Sequence, residues 1–305
     1  MPSTAPRSPD VSAIQKTAHG ALQSKNVGVE KLGRYLYRTY RLTTSNDFFY
    51  ILRARPSHNV KLLRHEEGRL EAEACTLRTL STRPDIVTTR LIEYSSTGVG
   101  IGSSYLISGP FGGSVFADVE PSLSRHALAS IDHSLGQYVR MLSSVTGPEF
   151  GPVRHAQGSP GSHSWAKTFT SMLESILRDG EDALINLPYE GMRDLVRHHR
   201  ASLDKISQPK LVLLEVSGDE NVMVDAKAHR VTGVVDFSSA LWGDPFFSNC
   251  FYKPTASFAE GFGRLPNGDS DERTRQYLYV PHRFRNKINA NKKSDMSYTT
   301  PCWQW

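Results

Sequence analysis

The sequence predicts an α+β fold in two lobes, a small antiparallel sheet lobe followed by a mainly helical large lobe, and three observations carry that reading. Up to about residue 110 the apolar residues alternate, first in Arg34-Tyr-Leu-Tyr-Arg-Thr-Tyr-Arg-Leu42 and then in Phe48-Phe-Tyr-Ile-Leu-Arg-Ala54, the pattern of half-buried strands. Past Gly109-Pro-Phe-Gly-Gly113 the period lengthens to about 3.6, most clearly from Leu128 to Ser143, where Ile131, Leu135, Tyr138, Val139 and Leu142 share a face. Late in the chain, short apolar runs return: Leu211-Val-Leu-Leu-Glu-Val216, Val222-Met-Val-Asp225 and Val231-Thr-Gly-Val-Val-Asp236. The turn-rich Ala226-Lys-Ala-His-Arg230 joins the last two, so the runs read as strands that project Asn221 and Asp236 toward one place.

Taken in order, residues 1–28 read as a flexible Pro- and Ser-rich leader followed by a weak helix from Ala13 to about Leu22. Residues 29–110 form the sheet lobe: a hairpin turning at Thr43-Thr-Ser-Asn-Asp47, a helix over His65–Leu80, and strands within Ile86–Tyr94 and Ser103–Ser108. Gly109–Gly113 breaks regular structure and has the composition of a hinge between lobes. In the large lobe, residues 111–284, Ser164 caps a helix to about 178, and another spans 189–205. Asp244 before Pro245 suits a structural cap, and Ser270–Phe284 suits a closing helix. Residues 285–305, polar, basic and aperiodic, read as an unpacked tail.

At 305 residues and 38% hydrophobic content, the chain is long enough for two lobes with real cores. No run of 18 apolar residues exists, and Met1-Pro-Ser-Thr-Ala-Pro-Arg-Ser-Pro9 lacks an apolar core, so a soluble cytoplasmic protein with no membrane span is expected. Cys75, Cys250 and Cys302 lie far apart, against a disulfide framework and a structural zinc. Of the net charge of +5, the last 45 residues carry eight cations against four anions, so the rest is nearly neutral and nucleic acid is not an expected partner. Gly112-Gly-Ser-Val-Phe116 is no nucleophile elbow, His198-His199 sits in a basic helix without a third ligand, and neither a dinucleotide fingerprint nor a Walker loop is present.

Magnesium takes a few hard oxygens and completes its shell with water and substrate phosphates, so one amide oxygen and one carboxylate suffice when a nucleotide is present. The order and spacing of Asn221 and Asp236 resemble the aminoglycoside phosphotransferase-like branch of the protein-kinase-like fold, which includes choline and aminoglycoside kinases. The likeness is nearest the fungal members through Val231–Phe237, Ala240-Leu-Trp-Gly-Asp-Pro245 and the Phe150-Gly151 pair. It implies ATP and Mg2+ as cofactors, Asn221 and Asp236 as metal ligands, adenine against backbone near Ile107 to Pro110, Gly109 included, and transfer to a hydroxyl of a small-molecule acceptor.

The family's phosphate-holding lysine falls on Arg53, and its partner carboxylate on Glu73, which lies in the apolar stripe of Leu70, Ala74, Leu77 and Leu80. A carboxylate among apolar neighbours needs a cation; either Arg53 supplies it, or Glu73 turns to solvent at the helix edge. Five positions before Asn221 the family has its catalytic Asp, and this chain has Val216, with Leu214 in place of the usual His. Glu215 takes the place of that base if the loop carries one extra residue. The alternative is a pseudokinase that binds a nucleotide or metabolite without transfer. Asp236 itself also suits a turn-initiating role, and Asn221, Gly218 and Asp219 suit turns.

Overall fold

A computed structural model describes residues 11–32, 36–45, 49–56, 60, 62–153, 161–216 and 220–283. The leader at 1–10, the tail at 285–305, and Arg34, Tyr35, Phe48, Gly218 and Asp219 fall outside these.

Strands β1 (Val27–Leu32), β2 (Arg38–Thr44), β3 (Phe49–Ala54), β4 (Arg90–Ser95) and β5 (Tyr105–Phe111) make one antiparallel sheet in the order β1-β2-β3-β5-β4. The β2–β3 hairpin pairs Arg38 with Ala54 through Thr43 with Phe49, as the alternation requires. Strand β3 is buried on both faces, and its period of two sorts its side chains. Leu52 and Ala54 face a cluster completed by Ile14 and Ala18 of helix α1 (Val11–Leu22), while Phe49 and Ile51 face the second sheet, and Arg53 lies on their side. The helix at 11–22 is therefore part of the sheet lobe's core, not a loose lead-in, and β1 is a strand the alternation did not reveal. Helix α2 (Arg69–Leu80) begins after Gly68, whose φ of +74° ends the preceding 3₁₀ turn at Arg64–Glu66, so the helix is shorter than the His65–Leu80 span expected. Its Leu70 and Ala74 pack on Leu106 and Tyr37.

The expected hinge requires correction. Gly109 to Phe111 continue β5, with Gly109 opposite Arg90 and Phe111 opposite Phe49. Only beyond Phe111 does the chain cross to β6 (Ser114–Val115) and the one-turn helix α3 (Phe116–Val119). Gly109 is a glycine for a steric reason: a Cβ there, at φ +145°, would overlap the ring of Tyr50.

Helix α4 (Arg125–Leu142) is capped by Ser124, whose hydroxyl accepts from the Ala127 amide at 3.2 Å, and buries the predicted Ile131–Leu142 face. After β7 (Gly151–Pro152), α5 (Trp165–Asp182) starts at its Ser164 cap, and Trp165, Phe169, Leu173 and Leu177 enter the large core. The expected 189–205 helix is two helices, α6 (Tyr189–His198) and α7 (Arg200–Asp204), parted at His199. Strand β8 (Lys210–Leu213) pairs with β11 (Ala240–Gly243), and β11 with β7, whereas β9 (Val222–Asp225) and β10 (Arg230–Val234) form a hairpin with β6 at its edge. The first of the three late apolar runs thus belongs to a different sheet from the other two. Helices α8 (Ala256–Phe262) and α9 (Ser270–Arg283) close the lobe; α8 crosses α4 so tightly that a Cβ at Gly261 would overlap the His133 carbonyl.

Candidate functional site

The β9–β10 hairpin turns through Asp225, whose Oδ1 accepts from the amides of Lys227 and Ala228 at 3.0 Å each. Pairing continues past the strands, with the Val235 amide on the Asn221 carbonyl at 2.9 Å, so Asn221 and Asp236 meet at the hairpin's open end. The side chain of Asn221 then closes the gap. Its Oδ1 accepts from the Asp236 amide at 2.7 Å, and its Nδ2 donates to the Glu215 carbonyl at 2.7 Å. The amide orientation follows from its partners, since one presents a donor and the other an acceptor. One residue thereby ties together 215, 221 and 236, three positions singled out from sequence.

Asp236 Oδ1 accepts from the Ser238 amide at 2.6 Å, while Oδ2 makes no hydrogen bond among the described residues and the side chain is 32% exposed. Beneath it, Arg53 and Glu73 form a buried ion pair, at 2% and 0% exposure. Of the two readings of Glu73, the paired one holds and the solvated one does not. Arg53 Nη2 also donates to the Val235 carbonyl at 2.8 Å, and Nη1 lies 3.8 Å from Asp236 Oδ1. The guanidinium therefore couples helix α2 to the strand end carrying Asp236, with its nitrogens turned inward. Burial pushes the Glu73 carboxyl up to about 7; the Arg53 charge opposes this and Asp236 adds to it.

The stretch before Asn221 is held from behind. Glu215 donates its amide to Ser239 Oγ at 3.2 Å, Val216 donates to Asn249 Oδ1 at 3.1 Å, and the Asn249 amide returns to the Leu214 carbonyl at 3.0 Å. Val216 is 1% exposed, inside the large core, and Glu215 beside it is half-buried. Ser239 and Asn249 escaped the sequence reading, because a bond spanning 24 or 33 residues leaves no local periodicity.

Ile107 is the first of the positions near which adenine is expected to lie against backbone. It lies mid-sheet, paired with Leu52 on one flank and Glu93 on the other, and its side chain is fully buried. Gly109 sits two residues on, where a register shift sets the chain irregularly against β3. Between the two sheets, Phe49, Ile51, Phe111, Met223 and Val235 form a separate apolar cluster, with Phe49 and Phe111 stacked at 5.2 Å.

The cap expected at Asp244 is present. Asp244 Oδ1 accepts from the Phe246 amide at 3.1 Å, capping the turn at Pro245–Phe247. His198 and His199 are exposed, and no group of three His, Cys, Asp or Glu suited to a metal exists among the described residues. No helix among them is long and apolar enough to cross a membrane.

The sequence profile described as the phosphotransferase enzyme family matches residues 30–248. No protein of curated function matches significantly. Among solved structures, a Ralstonia eutropha protein assigned as an aminoglycoside phosphotransferase superposes with a TM-score of 0.65 at 14% identity, covering 95% of this chain and 92% of its own. APH(2'')-IIIa, solved with GDP and kanamycin, gives 0.58 at 14% identity, with 92% of each chain covered. The macrolide 2'-phosphotransferase MphH of Brachybacterium faecium gives 0.54 at 15%, covering 95% of this chain and all 100% of its own. At such identities the likeness is one of fold, and the fold is the two-lobed kinase-like one.

Proposed function

Because the chain belongs to the phosphotransferase enzyme family, we propose that it moves the γ-phosphate of ATP, with Mg2+, to a hydroxyl of a small molecule. One observation carries the proposal: the Asn221 side chain, bonded to both the Glu215 carbonyl and the Asp236 amide, gathers a candidate base, an amide oxygen and a carboxylate at one strand end. The donor set suits a magnesium ion held largely by phosphates and water. Asp236 keeps Oδ2 available, and the Asn221 oxygen, with one lone pair on the Asp236 amide, keeps a second. Bound there, the ion would neutralise charge on the transferring group.

The chain's own groups then take these roles. Arg53 and Glu73 set the position of Asp236 through the Val235 carbonyl, and any direct contact of Arg53 with phosphate requires its guanidinium to turn out of that pairing. Glu215, fixed at both its amide and its carbonyl, is the candidate acceptor of the hydroxyl proton. The segment Val231–Pro245 supports the fungal type of the family as the finer reading.

A second reading, a nucleotide- or metabolite-binding module without transfer, draws on Val216, a buried apolar side chain where the family has its catalytic Asp. The two part in an ADP-release assay over a panel of small alcohols, run beside calorimetric titration with ATP and magnesium. Transfer predicts turnover that falls about a thousandfold in Asp236→Ala and about a hundredfold in Glu215→Gln. ATP binding without ADP release across the panel supports the module, and neither binding nor release rejects both.

A further inference from the structure

In the large lobe, lined by none of Arg53, Glu73, Asn221 and Asp236, is a cavity of about 460 Å³, within the range of small-molecule pockets. Five cations line it, Arg140 of α4, Lys205 after α7, Lys210 of β8, Arg264 after α8 and Arg275 of α9, with two carboxylates, Asp244 and Glu272. Both carboxylates are already engaged. Asp244 accepts from the Phe246 amide, from Arg275 Nε at 3.1 Å and from Tyr279 at 2.7 Å. Glu272 accepts from Arg264 Nη2 at 2.6 Å and Nη1 at 3.1 Å, and from the Gly268 amide at 2.8 Å. Arg140, Lys205 and Lys210 form no ion pair among the described residues, which leaves three positive charges around one concavity without a protein counter-charge.

The cations are gathered by the fold. A Cβ on Gly263, which ends α8, would lie 3.4 Å from Arg140 Nη1, so the Arg140 head group sits beside the segment that carries Arg264. Arg275, 4% exposed, spends Nε on Asp244 and Nη1 on the Ser202 carbonyl at 3.0 Å, and its Nη2 makes no hydrogen bond among the described residues. Ile206 and Pro245, both half-buried, supply apolar surface, whereas Phe246 and Phe262 are buried and the Arg264 guanidinium covers the Phe246 ring at 4.5 Å from its centroid. Cations that neighbour one another repel unless an anion joins them, and guanidinium beside ammonium is a donor set suited to a phosphate. An apolar body against Ile206 and Pro245 would add contact area that phosphate alone cannot.

We propose that this cavity is a second ligand site, taking a small phosphomonoester whose phosphate lies among Arg140, Lys205 and Lys210 and whose apolar body rests on Ile206 and Pro245. The site stands apart from the transfer reading. Its ligand would be sensed by β8, which leads from Lys210 to Glu215, and by the turn at Asp244 that closes β11.

Calorimetric titration of the full chain with phenyl phosphate, inorganic phosphate and phenol, at fixed ionic strength, tests it. Saturable binding of phenyl phosphate is expected, tighter than inorganic phosphate, with none for phenol. Each of Arg140→Gln and Lys205→Gln, both exposed and so compatible with folding, should weaken it about tenfold. Asp236→Asn should leave it unchanged, which separates this site from the strand-end cluster. Equal binding of phosphate and phenyl phosphate, affinity that follows Asp236 instead of Arg140 and Lys205, or no heat above a chloride control would each overturn the proposal.

Discussion

Two buried arginine–carboxylate pairs, one in each lobe, have the same chemistry and different company. Asp244 in the large lobe has both oxygens engaged: one caps Phe246, the other takes Arg275 and Tyr279, and Tyr279 in turn accepts from Trp165 Nε1 at 2.8 Å. Glu73 in the small lobe pairs one oxygen with Arg53, while Oε2 is buried beside the Phe237 amide without a well-formed hydrogen bond. Burial raises the proton affinity of both carboxyls, and Asp236, 3.8 Å from Arg53, raises that of Glu73 further. A saturated network of this kind locks a core, whereas an unsaturated one next to an exposed carboxylate is what a working site tends to retain.

The sharpest way to break this contrast is to delete each acid. Asp244→Ala leaves Arg275 buried and the turn uncapped, and is expected to lose about 3–5 kcal/mol in denaturant unfolding. Glu73→Ala is expected to lose about 1–3 kcal/mol, because Arg53 keeps the Val235 carbonyl and can move onto Asp236. Equal losses would refute the difference.

Acidity sharpens it next. A carboxyl whose pKa is raised from 4.5 to about 7 on folding binds its proton more tightly in the native state. Its contribution to stability is therefore complete below about 4.5 and is lost as pH rises through about 7, an effect of about 3 kcal/mol. Melting curves across that window should show the decline in the wild type and a flatter profile in Glu73→Gln. The smallest effect concerns the saturated network alone. Tyr279→Phe deprives Trp165 Nε1 of its acceptor and Asp244 Oδ2 of a donor, and should lower stability by about 1–2 kcal/mol, read by denaturant titration.

Much of this was legible in the residues. Glu73 inside an apolar helical stripe left two choices, a buried cation or an escape to solvent, and the structure supplies Arg53; the face of α4 and the cap at Asp244 follow their patterns. What stayed hidden was set by distant partners. Strand β8 ends at Leu213 because β11 pairs it over Leu213–Ala240, and Gly109 stays in β5 because Arg90 lies opposite. Neither Ser239 nor Asn249 announces that it braces Glu215 and Val216. The setting of Ile107 was hidden for a related reason: an apolar run shows that a strand is buried but not that both its flanks are occupied.

The family profile begins at residue 30, inside β1, yet Ile14 and Ala18 of α1 are packed against Leu42, Leu52 and Tyr105. A chain trimmed to the matched span would lose half an edge strand and unroof one face of the sheet, exposing those side chains to water and inviting self-association. The helix that precedes the recognisable sequence thus acts as the lid of the small lobe, and anyone shortening this protein should begin no later than Val11.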